Sequence, residues 1–438
     1  MWRKFLQLGL LHTAVALLTL PVDDNLNRVM NVELGLPLTL VTALISLPYL
    51  VSPLQVWFGA WADRHPVLGR RRTPYALAGL LVCAAGVVVL PVGLLQTEGP
   101  LGLLIAFAGF VLWGAGYNIT TVAYFSLASE LFEPKLRSRA VAAMYFVMLL
   151  SVIAGGIGFG RMVTGVPDTA AALAGPLTQA IWVITAIAVA LGVLGALGLE
   201  PRGMATAVGE PLGFGRLWAA LAGNRNARLF FVYLTLLLIA ILGQDMILEP
   251  FGGQVLGMSL EETARLRSLY GVCFLLALVV AAVLERFLSR RRVGQASAMA
   301  AMSAFVVLAL SSLWASIPLF YTGLLVLGLA IGVSTVSNHA FMLDMTTPRD
   351  VGLFIGAWGL AVSLARVLGG LINGIVRDGI GQVSGDPALG FAAVFAIQLV
   401  LLIGALGVLT RLPDLRLDAP APPAGPLAER AAAAASAE

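Results

Sequence analysis

What most constrains this chain is a succession of apolar stretches, each about as long as a bilayer is thick. A hydrocarbon core of about 30 Å needs about 20 apolar residues per helix. By that ruler, spans fall at 8–31, 38–62, 74–96, 101–128, 140–162 and 177–199, and again at 229–250, 263–288, 295–313, 318–343, 352–374 and 389–411. In lipid every backbone N–H and C=O must be satisfied within the protein, so such stretches form helices. The composition agrees, with 59% of the 438 residues hydrophobic and 11% charged, and a mean hydropathy of +0.93, far from a soluble domain. The expectation is an all-α integral membrane protein of twelve helices.

The chain repeats itself. Glu130, Pro134, Lys135 and Gly155 recur as Asp344, Pro348, Arg349 and Gly369, each pair 214 residues apart. Both copies are short polar loops leading into an apolar helix that ends in a glycine pair, Gly155-Gly156 and Gly369-Gly370. The chain therefore divides into a six-helix half over 1–199, a polar linker over 200–228, a second six-helix half over 229–412 and a Pro- and Ala-rich tail over 413–438 that is expected to be disordered. Arg3 and Lys4 precede the first apolar run as in a signal peptide, but no small-residue cleavage site follows, and the run is read as a retained span.

The cations report topology rather than nucleic acid. Twenty-one of them fall on the side of the two termini, among them Arg64, Arg70, Arg71, Arg72, Lys135, Arg137, Arg139, Arg286 and Arg349. Only Arg28, Arg161, Arg265, Arg267 and Arg377 fall on the other. That bias predicts cytoplasmic termini.

Ionisable groups within spans cost roughly 2.5–3.5 kcal/mol each on insertion scales, so they need partners or a wet cavity. The first span carries Asp23, Asp24 and Arg28, and the seventh carries Asp245 and Glu249. An offset of 221 takes Asp24 to Asp245 and Arg28 to Glu249. Residues four apart share a helix face, so an Arg28–Glu249 pair near the outer end is expected, with the two aspartates lining the path below. Arg366 stands alone in the eleventh span and must find an acid, carbonyls or a ligand. Asn118 in the fourth span and Asn338 with His339 in the tenth are the other polar candidates. Cys83 and Cys273 lie inside spans and carry no assigned chemistry. No acid pair, nucleophile constellation, phosphate-cradling loop or metal-ligand cluster is present, so no catalytic residue and no catalytic cofactor is assigned.

Two halves of six helices are the organisation of the major facilitator superfamily. Gly59-Ala60-Trp61-Ala62-Asp63-Arg64 followed by Gly69-Arg70-Arg71-Arg72 resembles that superfamily's loop signature, with four residues, His65 to Leu68, where the usual pattern has one. Asp63 is expected to accept from the amides of a neighbouring helix N-terminus or to pair with an arginine. With Arg64, Arg70, Arg71, Arg72 and the repeated loop's Glu130, Arg137, Asp344 and Arg349, it forms a candidate cytoplasmic latch. The fifth span lacks the Gly-Pro pairing of the superfamily's antiporters.

A narrower resemblance follows. Leu26-Asn27-Arg28-Val29-Met30 with Glu33-Leu34-Gly35, then Asp63-Arg64-His65 with Val67-Leu68-Gly69-Arg70-Arg71-Arg72-Thr73-Pro74-Tyr75, is similar to the PucC/LhaA family of photosynthetic bacteria. Gly352-Leu353-Phe354-Ile355-Gly356-Ala357-Trp358-Gly359 and Arg377-Asp378-Gly379 add to it, while Glu130 stands where that family carries an Asp. The resemblance implies a multi-pass protein of the bacterial inner, intracytoplasmic photosynthetic membrane. It implies assembly of light-harvesting antenna, with bacteriochlorophyll or a related tetrapyrrole as cargo. Antenna polypeptides, pigment-biosynthesis enzymes and the lipid bilayer would be its partners, and no nucleic acid. A pigment carrier needs an apolar groove and an imidazole for magnesium, for which His339 and then His12 are candidates. The competing readings are a proton-coupled transporter of a small solute, resting on Asp23, Asp24, Asp245 and Glu249, and a non-transporting scaffold.

Overall fold

The computed structural model describes residues 2–52, 54–132, 134–203, 225–344 and 351–412. Most of the linker, the tail over 413–438 and Arg349 lie outside the described residues. Those described are mostly helical, with an isolated bridge between Val67 and Arg70 as the extended pairing among them.

Twelve spans run in order. α1 is Trp2–Val32, and α2 is three successive segments, Leu38–Ile45, Leu47–Leu50 and Leu54–Arg64. α3 is Thr73–Pro91, α4 Gly99–Glu130, α5 Pro134–Met162 and α6 Ala170–Ala196. α7 is Arg225–Gly243, continued beyond a tight turn by Leu248–Gln254, and α8 is Leu260–Ala264 followed by Leu266–Leu284. α9 is Arg290–Trp314, α10 Ile317–Asp344, α11 Val351–Ser384 and α12 Pro387–Leu409. Among the described residues, eleven are long and apolar enough to cross a bilayer, and the segmented α2 is the other. Its break has a local cause: Pro48, which lacks an N–H for the preceding turn, opens the second segment. Asn118 of α4 repairs the break by donating to the Pro48 carbonyl at 2.8 Å.

The two halves use the same packing scheme. α1 packs on α5 and α6, as α7 packs on α11 and α12; α3 packs on α4, as α9 packs on α10. The halves meet where α2 lies against α11 and α5 against α8. The repeated glycine pairs sit at these contacts. A Cβ on Gly369 would stand 2.8 Å from the Cα of Gly243, and one on Gly370 3.2 Å from Ser46 Oγ across the seam. Close helix approach of this kind replaces the hydrophobic driving force that lipid removes.

Candidate functional site

The site grows from irregular turns at matching places in α1 and α7. Pro21 has no N–H, and α1 loosens into a π-helical turn over Pro21–Leu26. Displaced by the same 221 residues that relate the sequences, α7 tightens into a 3₁₀ turn over Gln244–Met246, just before Pro250. Interrupted helices near the bundle axis are where membrane carriers build their binding sites. Here both turns carry acids into the seam.

Asp23 and Asp24 of α1 face cations from the other half. Arg267 Nη1 of α8 lies 3.5 Å from Asp24 Oδ1. Arg366 of α11 reaches Asp23 at 4.0 Å and Asp245 at 3.8 Å, and its guanidinium carbon lies 4.9 Å from the centroid of the Tyr49 ring. Gln244 donates to Asp245 Oδ1 at 2.8 Å. Glu249 is 4% exposed, lies in the field of Asp24, Asp245 and Arg267, and keeps its Oε2 without a hydrogen-bond partner among the described residues. Asp23, Asp24 and Asp245 thus share two guanidiniums, with Glu249 buried in the same field.

Arg28 does not pair with Glu249. Its guanidinium lies 2.9 Å from Glu33 Oε1 and 3.5 Å from Asp168 Oδ2, and it donates to the Met258 carbonyl at 2.9 Å. The reason is the π turn. Its i→i+5 bonding adds a residue to the helix, so Arg28 is rotated off the face that carries Asp24 and turned toward the loops. Burial raises the Glu33 carboxyl from its ordinary 4.5 to about 7, against the lowering effect of Arg28.

Those loops close one end of the bundle, termed here the far face, opposite the end where α1 begins (the N-face). Asp168 accepts from the Leu260 amide at 3.2 Å, and Gln254 donates to the Asn31 carbonyl at 3.2 Å. Asp378, at the end of α11, accepts from the amides of Leu38 and Thr39 at 3.1 and 2.7 Å and from the Thr39 hydroxyl at 2.7 Å. One half thereby caps a helix of the other. Arg377 donates to Asp378 at 2.8 Å and also bonds Gln254.

At the N-face a network ties the loop before α3 to α2, α4 and the start of the linker. Arg72 pairs with Glu130 at 2.8 Å and donates to the Gly59 carbonyl at 3.2 Å. Glu200 accepts from the amides of Arg71, Arg72 and Thr73, the last at 2.7 Å, and so caps α3. Glu200 is a residue of the linker, and the sequence pattern did not single it out. Arg64 is exposed, and Arg70 pairs its backbone with Val67. The side chains of Asp63, Arg137, Asp344 and His339 lie outside the described residues.

The remaining candidates are occupied. Asn118 also donates to Gly114 and accepts from Gln55 at 2.6 Å, while Asn338 accepts from the Tyr233 hydroxyl at 2.8 Å and donates to Ser334 at 2.9 Å. His12 is boxed by Tyr124, Phe125 and Tyr145. Among the described residues no group of three His, Cys, Asp or Glu could hold a metal ion. Sequence reasoning assigned Arg267 to topology, although its position inside the eighth span was a signal. It left Asp168, Glu200 and Asp378 without roles, because the first two lie outside the helices and Asp378 lies beyond the eleventh span as read from its apolar length.

Known proteins agree with this architecture. The family described as PUCC protein matches residues 25–416. Protein PucC of Cereibacter sphaeroides is 31% identical over 435 residues, covering 94% of this chain and 92% of the relative. A Rhodobacter capsulatus protein named bacteriochlorophyll synthase 44.5 kDa chain is 28% identical, covering 92% of this chain and 94% of the relative. Among solved structures, a mutant form of the nucleoside transporter NupG superposes with a TM-score of 0.70 at 15% identity, over 93% of this chain and 99% of the transporter. The chain is a multi-pass membrane protein with the major facilitator fold, and it belongs to the PucC family.

Proposed function

We propose that this protein is an assembly factor for photosynthetic antenna, delivering or chaperoning bacteriochlorophyll and the antenna polypeptides in the bacterial inner membrane, with the N-face in the cytoplasm. The observation that carries this reading is the match to the PucC family across residues 25–416, which takes in both halves and the charged residues of the seam other than Asp23 and Asp24. The relative named as a bacteriochlorophyll synthase chain ties the family to that pigment by name. In this reading the protein holds and hands over; it does not catalyse. The far-face lock suits that task, because it joins the halves through charge-assisted hydrogen bonds that one conformational step can release together.

Purification from a pigmented host followed by absorption spectroscopy tests the proposal. Bound pigment together with co-purifying antenna polypeptide is the expected result. A strain lacking the protein that assembles antenna at the normal level overturns it.

A second reading, proton-coupled transport of a small solute, is favoured by one observation: Asp23, Asp24 and Asp245 share two guanidiniums at the seam, with the buried Glu249 in the same field. Proteoliposomes loaded with a pH-sensitive dye test it. Solute-dependent proton entry that is lost in Asp24→Asn supports coupling; its absence leaves the cluster as a structural lock.

A further inference from the structure

A cavity of about 200 Å³ lies at the N-face end of the first half, away from the charged seam. Trp57, Trp61, Arg72, Tyr75, Ile119 and Val122 are among its walls, so α2, α3 and α4 each supply a side. The walls change character with depth. Arg72 and Tyr75 stand where α3 begins, and Tyr75 donates to the His65 carbonyl at 2.6 Å, which fixes the outer end. Farther in, a Cβ on Gly79 would stand 2.8 Å from the Thr120 amide and 2.9 Å from the Ile119 Cβ. That contact between α3 and α4 lies about one helical turn deeper than Tyr75. It closes the inner end, where the side chains of Ile119 and Val122 are hydrocarbon.

The last segment of α2, Leu54–Arg64, runs outward along the same cleft. Positions 57, 61 and 64 are four and three apart and share one helix face. Trp57 is therefore the deepest of the three, Trp61 follows, and Arg64 comes at the outer end. The two tryptophans are 57% and 46% exposed. The Trp61 ring is braced by His65, with centroids 4.1 Å apart and planes 21° from parallel. Arg64 is exposed, with no ion pair or hydrogen bond among the described residues. The Arg72 guanidinium, by contrast, is committed to Glu130 and the Gly59 carbonyl, so it contributes wall to the cavity.

Tryptophans at headgroup depth are ordinary in a membrane protein and ask for no ligand. A recess behind them, bounded by three helices and graded from cation to hydrocarbon, matches an amphiphile with its head outward and a chain inward. The sign of the head follows from the loop, where residues 63–72 carry four arginines against one aspartate. Cations just beyond a span attract anionic lipid. The cavity is smaller than a pocket that encloses a whole drug-sized ligand, and it has room for part of one chain.

We propose that this cleft binds one anionic glycerophospholipid of the N-face leaflet, with its phosphodiester against Arg64 and part of an acyl chain in the cavity behind Trp61. The site is independent of the pigment-delivery reading. It uses the face of the first half that looks into the bilayer, and a lipid held there joins the last segment of α2 to α3 and α4.

The test uses the full-length purified protein in nanodiscs of phosphatidylcholine, into which phosphatidylglycerol or phosphatidylcholine brominated on its acyl chains is introduced in steps. Bromine quenches tryptophan emission on contact, and the Trp57→Phe, Trp61→Phe double variant identifies the share that belongs to these two rings. Brominated phosphatidylglycerol is expected to quench that share at a mole fraction roughly five-fold lower than brominated phosphatidylcholine, the preference one surface cation confers. Arg64→Gln is expected to bring the two lipids to the same mole fraction. Val122→Phe, which fills the inner end, is expected to do the same while keeping Arg64. Equal quenching by the two lipids in wild type overturns the site. A preference that survives Arg64→Gln overturns the headgroup contact, and one that survives Val122→Phe shows attraction to surface charge alone and overturns the cavity as the chain site. Arg64 is exposed and its replacement leaves the packing intact, so that arm decides the matter even where Val122→Phe does not fold.

Discussion

Two buried carboxylates cap helix N-termini in this molecule, and they do opposite things. Glu200 binds the amides that open α3 at the N-face, and so ties the start of the linker to the N-terminal half. Asp378 binds the first amides of α2 at the far face, and it reaches them from the other half. The chemistry is the same: an acceptor for orphan N–H groups and a negative charge at the positive end of a helix dipole. The consequence differs with connectivity. Glu200 stiffens a half; Asp378 joins two, alongside Arg28, Asp168 and Gln254. The far-face network therefore joins the halves to each other, and the N-face network joins the linker to the loop before α3.

The sharpest way to break this contrast is Arg28→Ala. It leaves Glu33 and Asp168 facing each other without their cation, and removing one partner of a buried pair costs about 3–5 kcal/mol, read as a fall in the thermal midpoint in detergent. Reversing Arg28 and Glu249 together restores nothing, since the two do not meet; recovery in that double variant would restore the pairing that the structure rules out.

Asp378→Ala comes next, at about 1.5–3 kcal/mol for hydrogen bonds to a charged group. Its signature is specific. Spin labels on the far-face loops of the two halves should report a larger population of long distances, with the N-face distances unchanged.

Glu200→Ala should cost about 0.5–2 kcal/mol, the range of a lost N-cap, and leave the far-face distances as they are. If Glu200→Ala opens the far face as Asp378→Ala does, the two networks are coupled and the division between them fails.

Glu33 supplies a test of another kind, read as a pH dependence. Its folded-state value of about 7 lies above the ordinary 4.5, chiefly through burial. The stability this contributes is fully present below pH 4.5 and is lost as the pH rises through 7. Unfolding followed between about pH 5 and 8 should show that decline in wild type and a flatter profile in Glu33→Gln.

Much of this was legible in the residues. The span lengths, the duplication and the glycine pairs were read directly, because each is a local property or a repeat of one. The expectation that Arg366 must find a partner was sound, and Asp23, Asp245 and Tyr49 are the ones it finds. The Arg28–Glu249 pair failed on a single assumption, that α1 keeps a regular α-helical period through Pro21. Glu200 was missed because the start of the linker folds back on the N-face, which no periodicity in the linker announces.

By itself, then, the sequence determined a twelve-span membrane protein in two related halves, since lipid allows a long apolar segment little besides a helix. It also determined which buried charges would need company. The tertiary structure alone decided which partner each one took. A π turn in α1 and a 3₁₀ turn in α7 reset the faces that the helical repeat would predict, and acids distant in sequence, Glu200 and Asp378, supplied the caps. Partner choice among buried charges depends on a few ångströms and a fraction of a helical turn, and only the packed bundle fixes those.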